Sequence, residues 1–264
     1  MNTVVSEDGT TIAYSRVGQG PALVLVDGAM CYRGQGPGQA LAAALADRFT
    51  VYTYDRRGRG ESTDTGPYSV DREIEDLAAL IKEAGGEVSL YGVSSGAALA
   101  LEAAHRGLAV RRLAVYEPPF VVDGTRKPVP ADYPDRAGAA VAIGRPGDAI
   151  RMFMTEAVGL PGLMVTMMRL MPAWPKLKRV AHTLCYDAEI MDGNQSGRPL
   201  PEGRWSGITA PVLVADGGKS PAWMRNGVAA LAAQLGTTVH TLPGQTHLVK
   251  PKVLAPVLAG FFAR

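Results

Sequence analysis

Five residues, Gly92-Val93-Ser94-Ser95-Gly96, set a serine between two glycines in a G-x-S-x-G pattern. An apolar run, Val88 to Tyr91, precedes them, and an alanine- and leucine-rich stretch, Ala97 to Ala104, follows. A serine on a sharp strand-to-helix turn points its hydroxyl away from the sheet, the glycines allow the crowded backbone, and the helix N-terminus favours nearby negative charge. The chemistry open to such a serine is attack on a carbonyl, provided that an adjacent base removes its proton. Imidazole does this near neutral pH, and the chain has four histidines. His105 falls near the end of the helix after the serine, where a cation suits the dipole. His182 falls among broken helices and His240 inside a short strand pattern. His247, in Leu242-Pro243-Gly244-Gln245-Thr246-His247, lies on a loop at the strand-terminal end of the pattern and is the candidate base.

A serine–histidine pair needs a carboxylate to orient the ring, and two carboxylates end apolar runs. Glu117 stands 23 residues after Ser94 in Val115-Tyr116-Glu117-Pro118-Pro119, and Asp216 follows the run Pro211 to Ala215. A carboxylate that ends a buried parallel strand and is locked by two prolines is held where sites form in such sheets, so Glu117 is preferred. Asp216 is the alternative acid, and it could instead anchor a turn through its side chain. A third carboxylate, Asp27, ends the run Ala22 to Val26 in Asp27-Gly28-Ala29-Met30. A negative group there opposes an oxyanion unless it is neutral or turned away. Two readings follow for Asp27: a local hydrogen bond facing away, or an extra acid or base in non-hydrolytic chemistry.

The elements that must hold these residues are legible as alternating patterns. Val4-Val5, a turn at Asp8-Gly9 and Thr11-Ile12-Ala13-Tyr14 read as a hairpin. Continuous apolar runs then follow at Ala22 to Val26, Phe49 to Tyr54, Val88 to Tyr91 and Arg112 to Tyr116, as in strands covered on both faces. Helical patterns lie between them, with Leu41-Ala44-Leu45 before the second run and Ile74-Leu77-Leu80-Ile81 before the third. This alternation predicts an α/β fold with a doubly wound, mostly parallel sheet. It stops from Pro118 to about Ser206, where helix-compatible stretches are broken by prolines and glycines. It resumes with the strand Pro211 to Ala215, a helix from Ala222 to Leu235, a strand at Thr238 to Leu242 and a helix from Pro251 to Phe262. The expected organisation is a core formed by residues 1–119 and 207–264, interrupted by a helical insertion at 120–206.

Seven of the ten methionines fall in that insertion: Met152, Met154, Met164, Met167, Met168, Met171 and Met191. Methionine fills gaps between irregular helices, and it also makes a deformable apolar wall over a cleft. On the second reading Met154, Met164 and Met168 line a substrate pocket, together with Met30, Tyr32 and Trp223.

Composition bounds the function classes. The chain has 264 residues, 47% hydrophobic and 20% charged, with a formal charge of +2, which excludes a disordered chain and leaves no electrostatic footprint for nucleic acid. No run reaches the length of a membrane helix, and the N-terminus lacks a basic segment followed by an apolar one. Cys31 and Cys185 form neither a framework nor a ligand cluster. The expectation is a cytoplasmic protein that acts on a small apolar molecule, without nucleic acid, membrane, metal or cofactor.

The motifs together resemble the α/β-hydrolase family over nearly the whole chain. Beside the serine turn, Asp55-Arg56-Arg57-Gly58-Arg59-Gly60-Glu61-Ser62 is similar to the family's D-x-R-G-x-G-x-S loop. Arg56, Arg57 and Arg59 offer an anion-binding cluster, but solvated arginines on a glycine-rich surface loop are the commoner arrangement and the expectation. The opening hairpin, the insertion after the sixth strand and the late histidine also fit. The resemblance implies Ser94 as nucleophile, His247 as base, and an oxyanion hole made by the backbone N–H groups of Ser95 and Ala29. The chain departs from the family pattern in three places. Gly217-Gly218-Lys219-Ser220 lacks the aspartate of the usual G-x-x-D, Asp27 replaces a histidine, and Val93 stands where many relatives carry another histidine. Haloalkane dehalogenases in this fold carry their acid at the end of the sixth strand, which agrees with Glu117. A serine at the turn argues against the carboxylate nucleophile of dehalogenases and epoxide hydrolases.

The leading expectation is a serine hydrolase that cleaves an ester, thioester or lactone through an acyl-enzyme. The departures motivate an alternative: a cofactor-free lyase, decarboxylase or cyclase using Asp27 and His247. A ligand-binding protein without turnover is the third reading.

Overall fold

The computed structural model describes residues 2–264. The opening hairpin forms as β1 (Asn2–Val5) and β2 (Thr11–Val17), its turn closed by the Thr10 N–H on Asp8 Oδ1 at 2.9 Å and by Gly9 at φ 84°. Then come β3 (Ala22–Val26), α1 (Gly38–Leu45), β4 (Thr50–Tyr54), α2 (Val70–Glu83), β5 (Val88–Val93), α3 (Ser95–His105) and β6 (Val110–Tyr116). Between β6 and the next strand lie five α-helices: α4 (Tyr133–Ala142), α5 (Pro146–Met152), α6 (Gly162–Met168), α7 (Trp174–Arg179) and α8 (Leu184–Ile190). The chain ends with β7 (Val212–Gly217), α9 (Ala222–Gln234), β8 (Val239–Leu242) and α10 (Pro251–Phe262).

The eight strands form one sheet in the order β1-β2-β4-β3-β5-β6-β7-β8. The pairs β1–β2 and β2–β4 are antiparallel, and every other pair is parallel. The apolar runs are continuous because both faces are covered. Along β3, Leu23 and Leu25 join a cluster with Leu41 and Leu45 of α1 and Leu254, Leu258 and Phe262 of α10. The intervening Val24 and Val26 belong to the cluster on the other side, with Leu77 and Leu80 of α2, Leu99 of α3 and Val228 and Leu231 of α9. Alternate residues of one strand thus serve opposite layers, the period-two rule of a pleated strand.

From β3 the chain runs outward to β4 on one side and returns to β5 on the other, so the strand order reverses between β3 and β5. Loops leaving two such strands diverge and open a crevice at their carboxyl ends. Val26 pairs with Gly92 at this point, which sets the Asp27 loop beside the serine turn.

The inserted helices pack around their own cluster of Tyr133, Ala137, Ala149, Ile150, Trp174 and Leu184, which rests on Met30. The ends of the inserted segment join the main core instead, where Phe120 and Trp205 stack with ring centroids 5.4 Å apart. The methionines divide among three environments. Met152, Met154 and Met168 pack against the inserted cluster, and Met191 is buried in the main core. Met164, Met167 and Met171 are half or more exposed.

Candidate active site

Among the described residues, only three other than glycine have positive φ: Met30 (62°), Ser94 (58°) and Glu117 (45°). They follow β3, β5 and β6, all at the carboxyl edge of the sheet. Backbone held in such regions costs of order 1–3 kcal/mol per residue and persists only where the surroundings enforce it. At Ser94 the enforcement is visible. Its N–H donates to the Tyr116 carbonyl at 3.0 Å, and α3 begins at the next residue. The loop after β3 comes so close that a Cβ on Gly28 would stand 2.8 Å from Ser94 Cβ, so that position requires glycine. Ser94 remains partly exposed.

Glu117 is fully buried, and its two oxygens are both engaged. Oε1 accepts the Gly217 N–H at 2.7 Å, and Oε2 lies 3.0 Å from His247 Nδ1. The histidine loop is pinned over it. Tyr116 donates its hydroxyl to the Thr246 carbonyl at 2.7 Å, and the Lys219 N–H reaches the Gln245 carbonyl at 2.8 Å. The turn at Gly217-Gly218-Lys219 therefore holds the loop by its backbone. A carboxylate on Nδ1 fixes the ring with Nε2 directed elsewhere, the orientation a general base for a hydroxyl needs.

Asp216 ends the neighbouring strand but goes another way: its Oδ2 accepts Arg225 Nε of α9 at 3.0 Å. The other histidines meet other partners. His105 Nδ1 accepts the Gly207 N–H, His182 lies 3.6 Å from Asp64, and His240 is exposed on β8.

Asp27 has its carboxylate against α1. A Cβ on Gly38 would stand 2.7 Å from its Oδ2 and one on Gly36 3.1 Å. Burial pushes its pKa up to about 6, against the Gly38 N–H and the charges of Arg59 and Arg56, which pull the other way. The same burial, with Asp27 nearby, raises the Cys31 thiol to about 12, and neither cysteine is in a disulfide.

The arginines of the Asp55–Ser62 loop are not solvated. Arg56, Arg57 and Arg59 are all buried. Arg56 forks onto Glu73 through Nε and Nη2 at 2.7 and 2.6 Å, and Arg57 forks onto Asp76 at 2.8 and 2.7 Å while Nη1 reaches Asp8. Burial of a guanidinium is tolerable only with paired carboxylates, and here each has at least one. Nothing in the loop's own residues foretold this, because the partners lie on distant elements.

Of the expected pocket residues, Met30 is buried under the inserted cluster, while Tyr32, Met154 and Met168 are packed against it. Met164 is 50% exposed on the outer side of α6. Trp223, at the start of α9, lines a cleft with Arg126, Pro128, Thr155 and Glu156, and the Arg126 guanidinium lies 4.4 Å from its ring centroid.

The profile of the alpha/beta hydrolase family matches residues 23–256. The chain belongs to the alpha/beta hydrolase family. Its fold is shared by an alpha/beta hydrolase from Sphaerobacter thermophilus DSM 20745, 52% identical over 99% of this chain and 100% of that one, with a TM-score of 0.90. An enol-lactonase from Burkholderia xenovorans LB400 is 19% identical over 100% of both chains, with a TM-score of 0.72. A thermophilic esterase from Thermogutta terrifontis is 20% identical over 99% of this chain and 96% of that one, with a TM-score of 0.70.

Within this family frame, one residue escaped the sequence reading. Asp187 of α8 is buried against both the serine turn and the loop after β4: it accepts Ser95 Oγ at 2.7 Å and Arg59 Nη2 at 2.6 Å. It stands 92 positions from Ser95 in the chain, and no local pattern marks it.

Proposed function

We propose that this alpha/beta hydrolase is a serine hydrolase acting on an ester, thioester or lactone with a largely apolar acyl part. The observation that carries the reading is the Glu117–His247 contact of 3.0 Å, with Glu117 one residue after the Tyr116 carbonyl that accepts the N–H of Ser94, a serine held at φ 58°. Ser94 Oγ attacks the carbonyl carbon while its proton passes to His247 Nε2. Glu117, buried against the ring, steadies the imidazolium that results. The carbonyl oxygen becomes an oxyanion held by the N–H groups of Ser95, the first residue of α3, and of Ala29. The N–H of a helix's first residue has no partner within the helix, and α3 supplies its positive end at the same place. Collapse expels the alcohol or thiol, which takes the proton from His247. Water, activated by the same ring, then cleaves the acyl-enzyme and restores Ser94.

The apolar cluster over Met30, with Tyr32, Met154 and Met168, supports an apolar acyl group. The non-hydrolytic alternative draws no support from Asp27, whose carboxylate lies against Gly36 and Gly38 of the α1 entry. The test is kinetic: a panel of p-nitrophenyl esters, thioesters and lactones of rising chain length. Turnover that rises with acyl length and disappears in Ser94→Ala and His247→Ala supports the proposal. Turnover that survives Ser94→Ala but not Asp27→Asn would overturn it in favour of acid–base chemistry.

A further inference from the structure

The three buried arginines of the Asp55–Ser62 loop divide by position. Arg57 fills the motif's own arginine and turns to Asp76, Asp8 and the Arg72 carbonyl, away from the serine. Arg56 and Arg59 fill its variable positions, and both converge on Asp187. That carboxylate is saturated: Oδ2 accepts Arg59 Nη2 at 2.6 Å, and Oδ1 accepts Arg56 Nη1 and Ser95 Oγ, each at 2.7 Å. Burial alone would raise its pKa, but the charges of Arg59 and Arg56 outweigh burial and hold it below the ordinary range, so Asp187 is an anion.

Arg59 carries the contact onward. Its Nη1 donates to the Gly28 carbonyl at 2.8 Å, and its Nε donates to Thr183 Oγ1 at 3.0 Å. The Gly28 carbonyl and the Ala29 N–H belong to one planar trans peptide and point in opposite directions. Fixing the carbonyl therefore fixes the direction of the N–H. On the other side, the Ser95 hydroxyl ties the first residue of α3 to the same carboxylate. The two peptides that carry the proposed oxyanion donors thus have one common anchor, and it lies on α8, between β6 and β7.

We propose that Asp187 is a positioning residue for the oxyanion hole, holding the Ala29 and Ser95 N–H groups in register through Arg59 and the Ser95 hydroxyl. The inference rests on the serine-hydrolase reading above. It gives α8 a part in catalysis separate from covering the substrate, because the hole is aligned only while α8 is seated.

The test measures kcat and KM for p-nitrophenyl butyrate and the rate of labelling by a fluorophosphonate in wild type, Asp187→Asn and Ser95→Ala. Asp76→Asn, which disturbs the Arg57 pair without touching the serine turn, controls for the loss of a buried ion pair. Losing one oxyanion donor costs about 10²–10³ in kcat. Misaligning both is expected to lower kcat in Asp187→Asn by about 10² with KM little changed, and to slow labelling in proportion. Ser95→Ala, which keeps the N–H and loses only the tether, is expected to lose kcat about tenfold, and it decides the matter if Asp187→Asn does not fold. Asp76→Asn is expected to melt earlier at wild-type kcat. Wild-type kcat in either folded variant, a change in KM alone, or an equal loss of kcat in Asp76→Asn would overturn the positioning role. If wild type itself neither labels nor turns over, the serine-hydrolase reading fails, and this inference with it.

Discussion

Glu117 and Asp216 end adjacent parallel strands, and their different fates follow from what each meets there. The Gly217 N–H and His247 Nδ1 take both oxygens of Glu117, whereas Arg225 draws Asp216 toward α9. Glu117→Gln is expected to lower kcat by about 10⁴, the order seen when a triad loses its acid, while Asp216→Asn keeps kcat within a few-fold; steady-state ester hydrolysis checks both. Ser94 is held at positive φ, where glycine is unstrained, so Ser94→Gly is expected to abolish turnover and yet raise the melting temperature. Ser94→Ala, which keeps a Cβ, is expected to show no such rise. Asp27 sets a pH dependence. Its folded pKa, near 6, lies above that of an unfolded aspartate, so the folded state holds the proton longer as pH rises. Relative to Asp27→Asn, wild-type stability is expected to fall from about pH 4 to about pH 6, by at most about 3 kcal/mol, and to run parallel above that. Urea unfolding of both proteins across this range checks the sign, and a constant difference would refute it. As candidates, Ser94 and Glu117 were legible because each follows an apolar run, and His247 because it alone of the four histidines lies on a loop after the last strand. Between the two strand-ending carboxylates the sequence offered only a preference, since the pull of Arg225 belongs to a helix packed in three dimensions.

At the scale of elements, the reversal of strand order between β3 and β5 makes the crevice, and Gly28 sets how closely its two walls approach. Gly28→Ala would place a methyl 2.8 Å from Ser94 Cβ and 3.2 Å from the Val93 carbonyl. It is expected to lower kcat by about 10² or more, since displacements of about 1 Å have that effect, and rate measurements at saturating ester check it. The strands and the helices of the core were legible from continuous apolar runs and from helical spacing. The inserted helices were not. In α6, seven residues make about two turns, too few for a periodic face to stand out. Val165 and Met168, three apart, turn inward, while Met164 and Met167 face solvent. The methionines are therefore divided: Met154 and Met168 pack against the inserted cluster, as a wall requires, while Met164 does not.

Across the whole molecule, the buried charges form a chain of contacts from α2 through the Asp55–Ser62 loop to α8. The arginines read as solvated in sequence because their partners Glu73, Asp76 and Asp187 are 17, 19 and up to 131 positions away. Removing one member of a buried pair leaves an uncompensated charge, which costs about 3–5 kcal/mol. Asp187→Ala is accordingly expected to lower stability by that amount. It is also expected to split unfolding into two steps, tryptophan fluorescence, which includes Trp174 in the inserted cluster, changing before the far-ultraviolet circular dichroism of the sheet. Wild type is expected to show coincident transitions. The central claim, that Ser94 is activated by the His247–Glu117 pair, is tested most directly by intact-mass labelling with a fluorophosphonate. The expected result is one adduct per wild-type chain and none in folded Ser94→Ala or His247→Ala; an unlabelled wild type, or an adduct that persists in Ser94→Ala, would contradict it.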